Sequence, residues 1–290
     1  MSESCNHDCA HCSQKKTEEE CAAERAFAEK MSKIRHKIVI LSGKGGVGKS
    51  TVAANLALGL QLEGMKVGLL DVDFHGPSIP TMLGVKGQNC YGQDDQILPL
   101  ETAGLKVMSI DFFLDDTNSA VIWRGPMKYG TIKQMLEDVA WGELDFLIID
   151  CPPGTGDEPL GVIQMLQEVS KDELSALLVT TPQEVSAADV RKSISFCRQL
   201  QLPVVGVVEN MSGFVCPHCG EVTYIFKQGG GEKMAKDAGI PFLGRLPLDP
   251  AVGDASDAGK TFLRTAPQNS PVVKNFQAVV DAVLSLETGK

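Results

Sequence analysis

The chain has 290 residues, 43% of them hydrophobic and 22% charged, with a formal net charge of −10. That is enough for one large α/β domain with a full core. The acidic balance argues against a broad nucleic-acid surface, which needs clustered Lys and Arg, and no run approaches the ~20 apolar residues of a membrane span. The N-terminus is polar and shows no basic segment followed by an apolar one, so no signal peptide is expected, and a cytoplasmic location is, with neither nucleic acid nor membrane as partner.

Residues 1 to about 35 read as a separate extension. Cys5, Cys9, Cys12 and Cys21 crowd it, and Thr17 to Lys30 is expected to form an exposed helix. Nothing in it promises a core, so a metal or a partner would have to order it. From residue 36 to 290 a single domain is expected. Its strands are placed at 37–42, 66–72, 105–110, 146–149, 175–180, 204–208 and 242–246. Its helices are placed at 49–62, 127–140, 186–200, 231–238 and 272–286. This alternation describes an α/β fold with a doubly wound, mostly parallel sheet, whose ligands bind beyond the C-terminal ends of the strands. The last helix carries an apolar stripe (Val273, Phe276, Val279, Val280, Val283, Leu284), read as core packing.

The segment Gly43-Lys44-Gly45-Gly46-Val47-Gly48-Lys49-Ser50-Thr51 follows an apolar, β-branched strand and opens a helix. Strand, glycine loop and helix make it a phosphate-binding P-loop. Successive backbone N–H groups point inward around a phosphate, and the helix N-terminus adds a favourable dipole. Lys49 would neutralise the β- and γ-phosphates of ATP, and Ser50 would place its hydroxyl on Mg²⁺. Lys44 is a second lysine inside the loop.

Carboxylates close two of the expected strands. Asp71 and Asp73, at i and i+2 in Leu70-Asp71-Val72-Asp73-Phe74-His75-Gly76-Pro77-Ser78, lie on one side of the chain near the phosphates. One of them, or Ser78, is an alternative cap for the helix after Pro77. Asp150 ends Phe146-Leu147-Ile148-Ile149-Asp150 and is followed by Cys151-Pro152-Pro153-Gly154-Thr155-Gly156-Asp157. Asp150 is expected to order the metal shell, and Asp73 and Asp157 to orient water or Mg²⁺.

These segments, with Cys216-Pro217-His218-Cys219, resemble the Mrp/ApbC family of iron–sulfur cluster carriers, deviant Walker A ATPases related to MinD, ParA and the nitrogenase iron protein. The resemblance runs from about residue 35 to 286. It implies an ATP-hydrolysing homodimer in which Lys44 reaches the partner subunit's phosphates. It further implies that Asn210 recognises adenine and that Pro247-Leu248-Asp249-Pro250 closes over the base. The clients would be apo iron–sulfur proteins. Rival readings are a MinD/ParA-type positioning ATPase, which gives the cysteines no role, and a reductase-type ATPase with a bridging redox cluster.

Nine cysteines without an export signal are better read as metal ligands or thiols than as disulfides. Cys216 and Cys219 form a knuckle able to hold one metal, half filling a four-ligand site that the same pair from a second copy would complete. On residue chemistry alone zinc and iron–sulfur stand level, and the resemblance implies a bridging [4Fe–4S] cluster. Cys5, Cys9, Cys12 and Cys21 offer a second metal site, for a cluster or, with His7 and His11, for zinc; the alternative is that these thiols bind cluster only in passing or contact a partner. Cys90, Cys151 and Cys197 are expected to be small buried hydrophobes.

Overall fold

In a computed structural model, the structure describes residues 17–93, 96–113, 124–216, 218–226 and 228–287. The strands are β1 (Ile34–Leu41), β2 (Val67–Asp71), β3 (Tyr91–Gln93), β4 (Gln96–Leu98), β5 (Leu100–Thr102), β6 (Leu105–Ser109), β7 (Leu144–Asp150), β8 (Leu174–Thr180), β9 (Val204–Val215), β10 (Val222–Thr223) and β11 (Phe242–Leu248). The helices are α1 (Glu18–Ser32), α2 (Lys49–Leu62), α3 (Ile79–Met82), α4 (Gly125–Glu137) and α5 (Asp157–Ser170). They continue with α6 (Glu184–Gln199), α7 (Gly230–Ala238), α8 (Pro250–Asp257), α9 (Phe262–Thr265) and α10 (Pro271–Leu284).

The main sheet runs β10-β9-β8-β1-β7-β2-β6-β5, with β11 also paired to β9. All of its pairings are parallel except β5 with β6 and β10 with β9 at the two edges. Strands β1, β7 and β2 are buried on both faces, which is why they read as continuous apolar runs and not as alternation. Register sets the site: Asp150 pairs with Ile40 on one side and with Asp71 on the other, so both carboxylates emerge beside the loop that follows β1.

Helix α2 is buried along nearly its whole length, between the sheet and α10. The crossing is close because Gly59 has no side chain: a Cβ there would meet Val280 Cγ2 at 2.4 Å. The apolar stripe of α10 is buried as expected, with Val273, Phe276, Val279, Val280 and Val283 in the core. Among the described residues no helix is long and apolar enough to cross a membrane.

The N-terminal helix departs from expectation. It starts with a capping box, Thr17 accepting from the Glu20 N–H and Glu20 accepting from the Thr17 N–H. It is not an exposed element: Cys21, Phe27 and Met31 are buried, and the helix packs on α5 and β1. Phe27 and Met31, at i and i+4, join the same core as the sheet, while Lys30 donates to the Glu137 carbonyl across 2.5 Å. The run of glutamates masks a narrow apolar face. The boundary expected at residue 35 thus falls inside one packed unit, as far as residues 17–35 are concerned. Helix α5 and the short α8 and α9 have no counterpart among the expected elements, while α3 is the helix expected after Pro77.

Candidate functional site: a phosphate loop and a cysteine knuckle joined by one strand

The loop between β1 and α2 is tied down from three sides. Ser42 Oγ donates to the Lys44 carbonyl at 3.0 Å, and the Gly154 N–H donates to the Ser42 carbonyl at 2.8 Å. Asn210 Nδ2 donates to the Val47 carbonyl at 2.8 Å. Gly46 and Gly48 adopt φ of +76° and +78°, where a side chain is strained. Gly43 is required by space: a Cβ there would lie 2.4 Å from the Asp189 backbone carbon of α6. Gly45 is exposed, Val47 is buried, and Thr51 accepts from the Asn55 amide through its carbonyl.

Lys49 is buried and its Nζ stands 2.5 Å from Asp150 Oδ1. It also reaches Ser50 Oγ at 3.4 Å. The second carboxylate oxygen, Asp150 Oδ2, is buried without a hydrogen-bond partner in the structure. An orphaned anionic oxygen beside a serine hydroxyl, at the mouth of a phosphate loop, fits a Mg²⁺ ion and its water. Burial pushes the Asp150 carboxyl up, against the pull of Lys49 and Ser50. Asp71, fully buried with the Asp150 charge next to it, is held well above the usual carboxylate range. Its oxygens accept from the Asp73 N–H at 3.1 Å and from Ser109 Oγ at 3.3 Å.

Asp73 is half-buried, and its Oδ1 accepts from the His75 N–H at 3.1 Å. Neither it nor Ser78 caps the helix after Pro77, since Ser78 makes no side-chain capping bond. Asp157 is exposed and opens α5. Lys44 is half-exposed, and among the described residues no acceptor holds its ammonium.

Asn210, expected at a base, is buried against the phosphate loop. Pro247 is buried near the end of β11, and Asp249 N-caps α8 by accepting from the Ala251 N–H at 2.9 Å. Beside Asp249 lies a cavity of about 480 Å³ lined by Val215, Ala251, Phe262, Ala266 and Pro271. That volume suits a small-molecule site. Asn210 does not line it, but pairs with Leu246 of β11, next to Pro247, so the two expected base contacts lie on neighbouring strands.

From Asn210 the same strand runs on to the cysteines. Met211 takes φ of +57°, a conformation strained for a side chain of its size, and Gly213 takes +92°. Strand β9 ends at Val215, and Cys216 to Glu221 turn the chain into β10, with Cys216 N–H donating to the Glu221 carbonyl and Gly220 N–H to the Cys216 carbonyl. Cys216 is half-exposed and Cys219 exposed. The backbone N–H groups of Cys219 and His218, and the Cys219 thiol, donate to the Cys216 sulfur and lower its pKa. Such a cradle favours thiolate, the form that ligates metal. Among the described residues no group of three or more His, Cys, Asp or Glu is placed to hold a metal.

Cys5, Cys9 and Cys12 lie outside the described residues, and Cys21 is buried in α1. Cys151 and Cys197 are buried thiols whose pKa values burial pushes up, that of Cys197 to about 12, as befits small hydrophobes. Cys90 is half-buried with its thiol raised to about 11.

One further carboxylate belongs to the site's frame without standing in any of the motifs above. Glu209 is fully buried and accepts from Ser212 Oγ at 2.6 Å and from the Gly231 N–H at 2.6 Å, with Arg245 Nε at 3.5 Å. It pins the start of α7 to the strand that carries Asn210. An acid closing an apolar run is the available signal, the same one that marks Asp71 and Asp150.

Residues 33–284 match the sequence profile of the ParA group described as NUBPL iron-transfer P-loop NTPase. The chain is 56% identical over 232 residues to the iron-sulfur cluster carrier protein of Methanocaldococcus jannaschii, covering 80% of this chain and 79% of that protein. It is 48% identical to the cytosolic Fe-S cluster assembly factor NUBP2 of Gallus gallus, over 92% of this chain and 98% of that one. Among solved structures, a nucleotide-binding protein of Archaeoglobus fulgidus in complex with ADP superposes with a TM-score of 0.74 at 40% identity, over 87% of this chain and 98% of the other. MinD of Pyrococcus horikoshii, at 22% identity and a TM-score of 0.62, shares the fold. With a phosphate loop, strand-end carboxylates and an exposed cysteine knuckle on that fold, the chain belongs to the NUBPL iron-transfer P-loop NTPases.

Proposed function

We propose that this protein is a cytosolic, ATP-hydrolysing carrier that binds a [4Fe–4S] cluster and passes it to apo-proteins. The relatives named iron-sulfur cluster carrier protein and cytosolic Fe-S cluster assembly factor support that placement. The observation that carries it is the cradled Cys216 sulfur, half-exposed beside the exposed Cys219 at the end of the strand whose Asn210 grips the phosphate loop. Two thiolates are half of a cluster's ligands, so the cargo is held between two copies of the chain, each giving Cys216 and Cys219.

In this reading the phosphate loop, residues 43–51, wraps the triphosphate, and Lys49 exchanges Asp150 for phosphate oxygens. Ser50 and Asp150 hold Mg²⁺ and its water, and the metal supplies charge neutralisation at those oxygens. Asp73 and Asp157 orient the attacking water, and Lys44 reaches the partner subunit's phosphates. The cavity beside Asp249 takes the nucleoside, Pro247 and Asp249 close over the base, and Asn210 leaves Val47 to meet it. The N-terminal cysteines hold a second cluster or zinc. A MinD-like membrane switch is opposed by α10, whose apolar face is already spent in the core.

The test is anaerobic reconstitution with iron and sulfide, followed by iron, labile sulfide and zinc analysis per dimer. Iron and labile sulfide lost in Cys216→Ala/Cys219→Ala would support the carrier. Stoichiometric zinc that iron does not displace would make the knuckle a structural staple. In the same reading the ATP state changes the dimer interface and so how tightly the four thiolates grip the cluster; Lys44→Ala abolishing hydrolysis while leaving cluster transfer intact would sink that coupling.

A further inference from the structure

We propose that Lys128 is a positioning residue for nucleotide hydrolysis, clamping the loop that carries Asp73 to the first turn of α5, which carries Asp157. The proposal rests on the reading of this chain as an ATP hydrolase. Lys128 sits in the first turn of α4, where the helix dipole disfavours a cation, so partners must hold it there. Its Nζ donates to Glu158 Oε1 at 2.6 Å and to His75 Nε2 at 3.0 Å, and it lies 5.9 Å from the centre of the Phe74 ring. Lys128 and Glu158 are each only 15% exposed.

The three partners come from the segments that flank the phosphate loop. Phe74 and His75 directly follow Asp73, and the His75 N–H is the donor that fixes the Asp73 carboxylate. Asp73 N–H in turn donates to Asp71, beside Asp150. Glu158 directly follows Asp157 in the first turn of α5, where an acid is favoured by the dipole and by its own backbone N–H. One ammonium thus spans the loop after β2 and the first turn of α5, from a third element.

An ordinary surface ion pair would contribute little and would leave catalysis alone. A clamp between two catalytic segments behaves differently, because a misplacement of about 1 Å at a reacting group can lower turnover by about a hundredfold. Lys128 neither donates nor accepts a proton in the hydrolysis; it acts only through the placement of Asp73 and Asp157.

The experiment is steady-state ATP hydrolysis by the full chain with Mg²⁺, comparing wild type with Lys128→Met, Lys128→Arg, Glu158→Gln and the Lys128→Met/Glu158→Gln double variant. Lys128→Met is expected to lower kcat by about 10- to 100-fold while KM for ATP moves by less than about threefold. Lys128→Arg should recover most of the rate, and the double variant should be no slower than Lys128→Met, because both changes cut the same link. A kcat for Lys128→Met within about twofold of wild type overturns the proposal, as does a loss that appears in KM and spares kcat. Should Lys128→Met fail to fold, the isosteric Glu158→Gln decides by the same criteria. Absence of hydrolysis by the wild type would overturn the ATPase reading itself, and this proposal with it.

Discussion

Lys49 Nζ and Asp150 Oδ1 stand 2.5 Å apart as a buried ion pair, and the other Asp150 oxygen has no hydrogen-bond partner among the described residues. The lysine that should neutralise phosphate is thus held by the carboxylate that should face the metal. On the proposed reading, a nucleotide takes Lys49 away from Asp150, and Mg²⁺ would then compensate the stranded carboxylate. Asp150→Asn removes the competition. Affinity for ADP in the presence of a chelator should rise by up to about tenfold, ~1.4 kcal/mol, while the gain in affinity on adding Mg²⁺ disappears. Calorimetric titrations with and without Mg²⁺ check both halves, and weaker chelator-state binding would contradict the exchange.

Asp71 gives a stability prediction with a defined sign. Its folded-state pKa is raised by burial and by the Asp150 charge, so the fold prefers the protonated form. Below the ordinary value of 3.8 folded and unfolded chains both hold the proton, and above it only the unfolded chain ionises freely. Wild type therefore loses stability as pH rises from there toward the folded-state pKa. Asp71→Asn has no such loss, so its advantage in Tm should grow from pH 4.5 upward and then level off. Each tenfold difference in proton affinity between the folded and unfolded chains is worth ~1.4 kcal/mol. Melting curves of the nucleotide-free protein across that range test it; a constant or shrinking difference would refute it.

The glycines of the phosphate loop serve different physical ends. A Cβ on Gly43 runs into the α6 backbone, whereas one on Gly46 meets nothing within 4 Å and suffers only from its φ of +76°. Gly43→Ala should therefore destabilise by ~1–3 kcal/mol through overpacking. Gly46→Ala should stay within ~1–2 kcal/mol, the left-handed penalty. Chemical denaturation without nucleotide ranks the two, and the reverse order would show that α6 yields readily.

Phe27 tests the status of the N-terminal helix. Its side chain is 7% exposed in the core shared with the sheet. Phe27→Ala should lower stability by ~3–5 kcal/mol in a single cooperative unfolding transition. No change in Tm would mean that α1 stands apart from the domain, as the sequence suggests.

Much of the nucleotide site is legible in the sequence because it is local. The phosphate loop is a contiguous strand, glycine turn and helix, and Asp71 and Asp150 each announce themselves as an acid closing an apolar run. Cys216 and Cys219 are spaced three apart in one turn. Helix α1 reads as exposed because its apolar residues, Cys21, Phe27 and Met31, are diluted by glutamates, and only α5 and β1 reveal that they face a core.

The sequence by itself determined the nucleotide chemistry, the α/β alternation and the thiol pair, since backbone geometry and residue type within a few positions are enough for each. Only the tertiary structure decided that Asn210 grips Val47 across 163 residues, that Glu209 pins Gly231, and that Lys128 joins His75 to Glu158. Those contacts depend on parallel strand order and on helix crossings, which bring distant segments together at one end of the sheet. No local periodicity records which charged side chain will meet which when the core closes, because burial of apolar faces sets that geometry and polar partners follow from it.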